Sequence, residues 1–156
     1  MRDFGIKDHL NWSHLQRIRE RWEGRLVVKG ILHEDDARCS VELGVDGIIV
    51  SNHGGRQLDG AIAPLNALPS ILHAVGEKTE VMLDGGIRRG SDVLKALALG
   101  ARFVFVGRPF LYAASVGGSA GVLMAAEILK SEIYRNMALL GVTNVGEIDQ
   151  PYLCKV

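Results

Sequence analysis

Four short apolar runs set the limits on this fold: Leu26-Val27-Val28, Gly47-Ile48-Ile49-Val50, Val81-Met82-Leu83 and Phe103-Val104-Phe105-Val106. None alternates apolar with polar residues, as a strand with one wet face does. Continuous apolar runs of this length suit parallel strands covered by helices. Stretches of helical periodicity lie between them, so the pattern is a helix followed by strand–helix four times. That pattern belongs to the α/β class.

Each run stops abruptly in glycine and charged residues. Lys29-Gly30 follows the first, and Ser51-Asn52-His53-Gly54-Gly55-Arg56-Gln57-Leu58-Asp59 the second. Asp84-Gly85-Gly86-Ile87-Arg88-Arg89-Gly90 follows the third, and Gly107-Arg108-Pro109 the fourth. Barrels and open sheets of this class both build their sites at the C-terminal ends of the strands. There is no Gly-x-Gly-x-x-Gly turn after the first strand, which disfavours a nicotinamide-binding Rossmann domain.

The helices can be placed from caps and stripes. Asn11 or Ser13 caps a first helix, whose stripe is Trp12, Leu15, Ile18 and Trp22, with Gly24 as its stop. At that spacing the two tryptophans are expected in the core rather than as a ligand platform. A second helix is predicted over 34–43, with Asp35 and Asp36 in the first turn, where the helix dipole favours anions. Pro64 starts a third, over 64–75, in which Pro69 should bend or interrupt the helix. Ser91 is expected to cap a fourth over 92–99, stopped by Gly100. A short helix over 110–115, a break at Gly117-Gly118 and a long helix over 121–140 follow. The stripe of the long helix includes Val122, Ala125, Ile128, Leu129, Ile133 and Met137. The polar tail from Gly141 reads as loosely structured.

Composition removes several function classes. The 156 residues suit one domain, and the formal net charge of zero gives no pull toward nucleic acid or anionic lipid. No uninterrupted apolar run reaches the roughly 18 residues that span a bilayer, so no transmembrane segment is expected. Met1-Arg2-Asp3-Phe4 leads into no apolar signal region. Cys39 and Cys154 lie far apart without metal-ligand spacing and read as reduced thiols. No metal site is expected.

Three chemistries converge at the strand ends. His53 is a proton acceptor, and Arg56 an anion holder, within four residues of each other. Gly85-Gly86 with Arg88, and Gly107 with Arg108, are two glycine–arginine turns after consecutive strands. Barrel enzymes frequently hold a phosphate with the loops after their last two strands and the N-terminus of a short extra helix. Glycine amides, a helix N-terminus and forked guanidinium donors all suit that anion.

Together these segments resemble the FMN-dependent α-hydroxyacid oxidases and dehydrogenases, which include glycolate oxidase, mandelate dehydrogenase, L-lactate dehydrogenase and the flavin domain of flavocytochrome b2. The resemblance rests on Val28-Lys29-Gly30, the segment Ser51 to Asp59, the segment Asp84 to Asp92, Ala98-Leu99-Gly100-Ala101 and Gly107-Arg108. It covers nearly the whole chain as a single domain, 1–156, and implies the TIM (β/α)8 barrel fold with FMN as cofactor. By resemblance, Lys29 sits near flavin N1 and O2, and its cation stabilises negative charge there. Ser51 hydrogen-bonds the flavin edge. His53 is the base, and Arg56 pairs with the carboxylate of a small-molecule 2-hydroxy acid. Asp84, Gly85, Gly86, Ile87, Arg88, Gly107 and Arg108 hold the ribityl phosphate end.

The family barrel has eight strands, and this sequence supplies four βα units preceded by a helix. It aligns to the C-terminal half. The other half is implied to carry further flavin contacts, tyrosines near the substrate and an aspartate paired with the catalytic histidine. Without that carboxylate the imidazolium is less favoured and His53 is a poorer base. Four open strands would leave two unpaired edges. The chain is therefore expected to be a fragment, a truncated gene product or one half of a split enzyme, pairing with the missing half or with itself; Met1 also allows an independent start.

The principal expectation is FMN-dependent oxidation of an L-2-hydroxy acid to the 2-oxo acid. The alternative is a half barrel that binds phosphate, FMN or a partner chain without turnover. A third reading, a phosphate-using isomerase or aldolase, would give Lys29 a Schiff-base role. The ending Cys154-Lys155-Val156 is not the peroxisomal Ser-Lys-Leu, so the cytoplasm is the default expectation.

Overall fold

A computed structural model describes residues 10–154. The readings of Met1 to Phe4 and of Lys155-Val156 fall outside them. The order is α1 (Trp12–Arg21), β1 (Val27–Ile31), α2 (Glu34–Glu42), β2 (Gly47–Val50), α3 (Pro64–Val75), β3 (Glu80–Asp84), α4 (Gly90–Ala98), β4 (Phe103–Phe105) and α5 (Arg108–Leu140). The strands form one parallel sheet in the order β1-β2-β3-β4, with Ile48 beside Val81 and Leu83 beside Val104.

Strand parity sorts the side chains onto two faces. Ile48, Val50, Val81 and Leu83 share the helix-covered face and are 0–2% exposed. Ala37 of α2, Ala67, Leu68, Ile71 and Val75 of α3 and Ala96 of α4 close over them. The α3 residues recur at 67, 68, 71 and 75, one stripe of an amphipathic helix. The opposite face carries Val27, Lys29, Ile49, Met82, Asp84, Phe103 and Phe105. Among the described residues nothing packs over it, and Val27, Phe103 and Phe105 are 43%, 56% and 37% exposed. Phe103 and Phe105 meet edge to face, with centroids 5.0 Å apart. The parallel, helix-covered strands are those that the apolar runs predict, and the partial α/β barrel is the one that the resemblance implies: helices outside, an open concave face inside and, among the described residues, unpaired edges at β1 and β4.

Several expectations are corrected. The α1 stripe is not core: α1 buries no residue, and Trp12, Ile18 and Trp22 are 37%, 50% and 55% exposed. Only Leu15 reaches the core, as a partly buried neighbour. α1 is held largely by polar contacts. Arg19 donates to the carbonyls of Trp22, Gly24 and Gly44 and to Asp46 Oδ2 at 3.1 Å, and that same oxygen accepts the Leu26 N–H at 2.7 Å. α3 runs through Pro69 with helical backbone. Pro69 is exposed, so the carbonyl it leaves without an N–H partner can meet water. Arg89, not Ser91, is the N-cap of α4. The final helix begins at Arg108, two residues early, and its two halves join at the non-helical Gly117 and Gly118. The tail is not loose: Val142 and Ile148 are each 6% exposed and pack with Leu94, Ala98 and Met137.

α5 also qualifies the membrane reading. By length and composition it could cross a bilayer, with mean hydropathy 1.3 over its best 18 residues. A count of uninterrupted apolar residues misses it. In this structure the helix packs along α4.

The Leu26 N–H, helped by Arg19, holds the Asp46 carboxyl below the ordinary carboxylate range. A lowered folded pKa stabilises above the unfolded value, and the contribution is lost as pH falls through the folded one. The stability gap between wild type and Asp46→Asn, read from urea midpoints, should therefore be full at neutral pH and close on acidification. A gap that persists at acid pH would dissociate it from this charge.

Candidate active site at the strand mouths

The C-terminal ends of all four strands open on one side of the sheet. There Lys29, His53, Gly54, Arg56, Asp84, Gly85, Gly86, Ile87, Arg88, Gly107 and Arg108 line one cavity of about 410 Å³, joined by Phe105, Pro109 and Leu111. Pockets for small organic ligands run from roughly 300 to 1,000 Å³. Every candidate residue except Ser51 is therefore in one wall. Ile87 contributes differently from the rest, being 6% exposed and part of the core.

Ser51 lies beneath this wall, 2% exposed. Its hydroxyl accepts from Lys29 Nζ at 2.7 Å and from the His53 N–H at 3.1 Å, and donates to Asp84 Oδ1 at 2.5 Å. A serine hydroxyl has one proton and two lone pairs, so all its capacity is spent. Ser51 is thus a hub joining three strand ends. The Asp84 carboxylate also pairs with Lys29 Nζ at 2.9 Å. A carboxylate would repel a phosphate; here it fixes the lysine ammonium.

The His53 loop is strained. His53 has φ 55°, the one non-glycine positive φ among the described residues, and Gly54 and Gly55 follow at 67° and 73°. Left-handed backbone is costly for a residue with a Cβ, and such outliers persist where surrounding contacts hold them. Two contacts do so. The His53 N–H is anchored on Ser51, and the Gly54 carbonyl accepts from Arg108 Nη2 at 3.2 Å. A Cβ on Gly54 would stand 3.2 Å from that nitrogen, so the close approach itself favours glycine. The imidazole and Arg56 are both exposed to the cavity side. Among the described residues no carboxylate pairs with the His53 ring.

The wall fits the phosphate end of FMN. Arg88 and Arg108 bring two guanidiniums from different strand ends. Gly107 is the N-cap of α5, so a helix N-terminus opens at the same place. A Cβ placed on Gly86 or Gly107 meets nothing within 4 Å, which leaves both backbones open to a ligand.

Sequence reasoning missed Phe105, whose place on the concave face follows from strand parity. It also missed Asp92, whose Oδ2 accepts the N–H groups of Arg88 and Arg89 at 3.0 and 2.9 Å. An acidic residue in a first helical turn was the available signal.

The model of the FMN-dependent dehydrogenase family matches residues 1–155. The chain is 52% identical over 144 residues to an L-lactate oxidase of Nostoc, covering 92% of this chain and 40% of that protein. It is 51% identical over 150 residues to 2-hydroxyacid oxidase 1 of Mus musculus, covering 96% and 40%. Among solved structures, the monotopic membrane protein (S)-mandelate dehydrogenase superposes with a TM-score of 0.89 at 42% identity, covering 94% of this chain and 39% of that one. The chain thus spans about 40% of the length of these relatives. With its sheet, its strand-mouth cavity and this match over nearly its full length, the chain belongs to the FMN-dependent dehydrogenase family, whose cofactor is FMN.

Proposed function

We propose that this chain supplies the base, the substrate-carboxylate site and the phosphate site of an enzyme that oxidises an L-2-hydroxy acid to the 2-oxo acid. One observation carries the reading: a single cavity joins His53 and Arg56 to Lys29 and to both glycine–arginine turns. The names of relatives, among them L-lactate oxidase and 2-hydroxyacid oxidase, support the substrate class.

The oxidation removes two electrons and two protons from the hydroxyl-bearing carbon and its oxygen. FMN, when bound, supplies the two-electron acceptor. His53 takes a proton from the substrate, with its N–H fixed by Ser51 and the carbonyl of the next residue, Gly54, by Arg108. Arg56 holds the carboxylate, and a guanidinium does so bidentately. Lys29, fixed by Asp84 and Ser51, keeps a cation where negative charge develops. Arg88, Arg108 and the α5 N-terminus retain the phosphate.

The test is to add L-lactate, glycolate or L-mandelate, without oxygen, to the chain loaded with FMN. Loss of the visible flavin absorbance is the expected result. Arg56→Ala should raise KM for the acid about 10- to 100-fold, the equivalent of losing a charge-assisted hydrogen bond of roughly 1.5–3 kcal/mol. An unchanged KM would remove Arg56 from the carboxylate site.

The uncovered concave face and the open β1 and β4 edges favour a second reading. In it the chain holds FMN by its phosphate, and turnover requires a complementary half barrel or a second copy over that face. Tight FMN binding with no bleaching by any of the three acids selects this reading.

A further inference from the structure

We propose that Glu132, far along α5, is a positioning residue for the anion site: with Arg89 and the Gly90 backbone it latches the turn after β3 against α5, so that Arg88 faces the cavity. The inference rests on the phosphate reading above.

Two consecutive arginines leave the Gly85-Gly86 turn, and the structure divides them. Arg88 lines the cavity. Arg89 turns away and places Nε at 2.8 Å and Nη2 at 2.6 Å from Glu132 Oε1. The other carboxylate oxygen, Oε2, accepts the Gly90 N–H at 2.8 Å. Asp92 holds the N–H groups of residues 88 and 89. Three successive amides at the start of α4 are thus spent on protein carboxylates. The start of α4 is closed to a ligand anion, and binding falls to Arg88, Arg108, the glycine turns and the α5 N-terminus.

The packing is as specific as the charges. A Cβ on Gly90 would stand 2.6 Å from the Ile133 backbone nitrogen and 2.7 Å from Glu132 Cβ. The start of α4 is pressed directly onto the α5 backbone, with no room for a side chain. Arg108 begins the first half of α5 and Glu132 lies on the second, beyond the non-helical Gly117 and Gly118, so the latch acts on the Arg88 side of the site. Glu132 is only 16% exposed in its side chain, which limits its alternatives. The Arg89 hydrogen bond, and then the Gly90 N–H, hold its carboxyl below the ordinary range against the opposing effect of burial. It therefore stays charged at neutral pH.

The test compares FMN with riboflavin, which lacks only the phosphate, by quenching of flavin fluorescence on the whole chain. Wild type should bind FMN more tightly. Glu132→Ala should weaken FMN about tenfold, the scale of one charge-assisted hydrogen bond, and leave riboflavin within about twofold. Glu132→Gln keeps an acceptor for the Gly90 N–H without the charge and should fall between. It also serves if the alanine variant does not fold. Equal losses for both flavins would mean a merely structural role and overturn the proposal, as would unchanged FMN affinity in both variants. A wild-type chain that binds FMN no more tightly than riboflavin would instead refute the phosphate site itself, and the latch with it.

Discussion

His53→Gln should leave FMN bound and lower the rate of flavin bleaching by an L-2-hydroxy acid about 10²- to 10⁴-fold, the usual contribution of a positioned general base. Glutamine approximates the size and hydrogen bonding of imidazole but takes no proton at neutral pH. The substitution also meets the loop's backbone, since residue 53 sits at φ 55°. His53→Asn is the control for that strain, because asparagine tolerates left-handed backbone better than most residues. Both variants should lose rate alike, with FMN affinity within about twofold of wild type, since Arg108, the phosphate contact that touches this loop, meets the Gly54 carbonyl and not the side chain of residue 53. Rapid mixing without oxygen separates the two quantities. A rate within tenfold of wild type in both variants would remove His53 from the role of base.

Much of the fold could be read directly because local signals agreed with tertiary ones. Gly47 to Val50 is apolar throughout and bounded by polar residues, and β2 occupies those four positions. Pro64 marks the start of α3, and the periodic stripe carries it to Val75. The failures share a cause. Trp12, Ile18 and Trp22 form a good stripe, but a stripe does not say whether another element exists to cover it. Pro69 breaks a rule of local geometry, yet the exposed side of a helix can leave a carbonyl to water. The tail reads as polar on average, while two positions, Val142 and Ile148, suffice to dock it.

The site shows the same division. Glycine and charge at the end of each apolar run mark the wall of the cavity, because only strand ends leave a parallel sheet. What side chains do to one another is not visible there. Lys29 and Asp84 lie on two strands and Ser51 just past the end of the strand between them, and the saturation of its hydroxyl appears only when parity puts all three on one face. Arg89 and Arg88 are chemically identical in the sequence. The partner that separates them, Glu132, stands 43 residues later on another helix.

The core itself is tested by Leu68→Ala, which should cost about 2–5 kcal/mol. Leu68 is 0% exposed, on the α3 stripe that covers the sheet between Val50, Val81 and their neighbours. Truncation removes buried methyl groups and leaves a cavity that close-packed neighbours fill only in part. For a chain of this size each kcal/mol corresponds to about 2–4 °C in Tm, so the loss should be plain in a thermal melt. Trp22→Ala supplies the contrast. The larger side chain is removed, but it is 55% exposed and its indole N–H donates only to the Arg25 carbonyl, at 3.1 Å. Its cost should stay near 1 kcal/mol, the scale of a net hydrogen bond. The order of the two effects separates the expectations: a tryptophan core would make Trp22→Ala the more damaging change, at the roughly 3–5 kcal/mol of a buried aromatic. If urea midpoints rank Trp22→Ala above Leu68→Ala, the docking of α1 described above is wrong, and something covers the tryptophan face in solution.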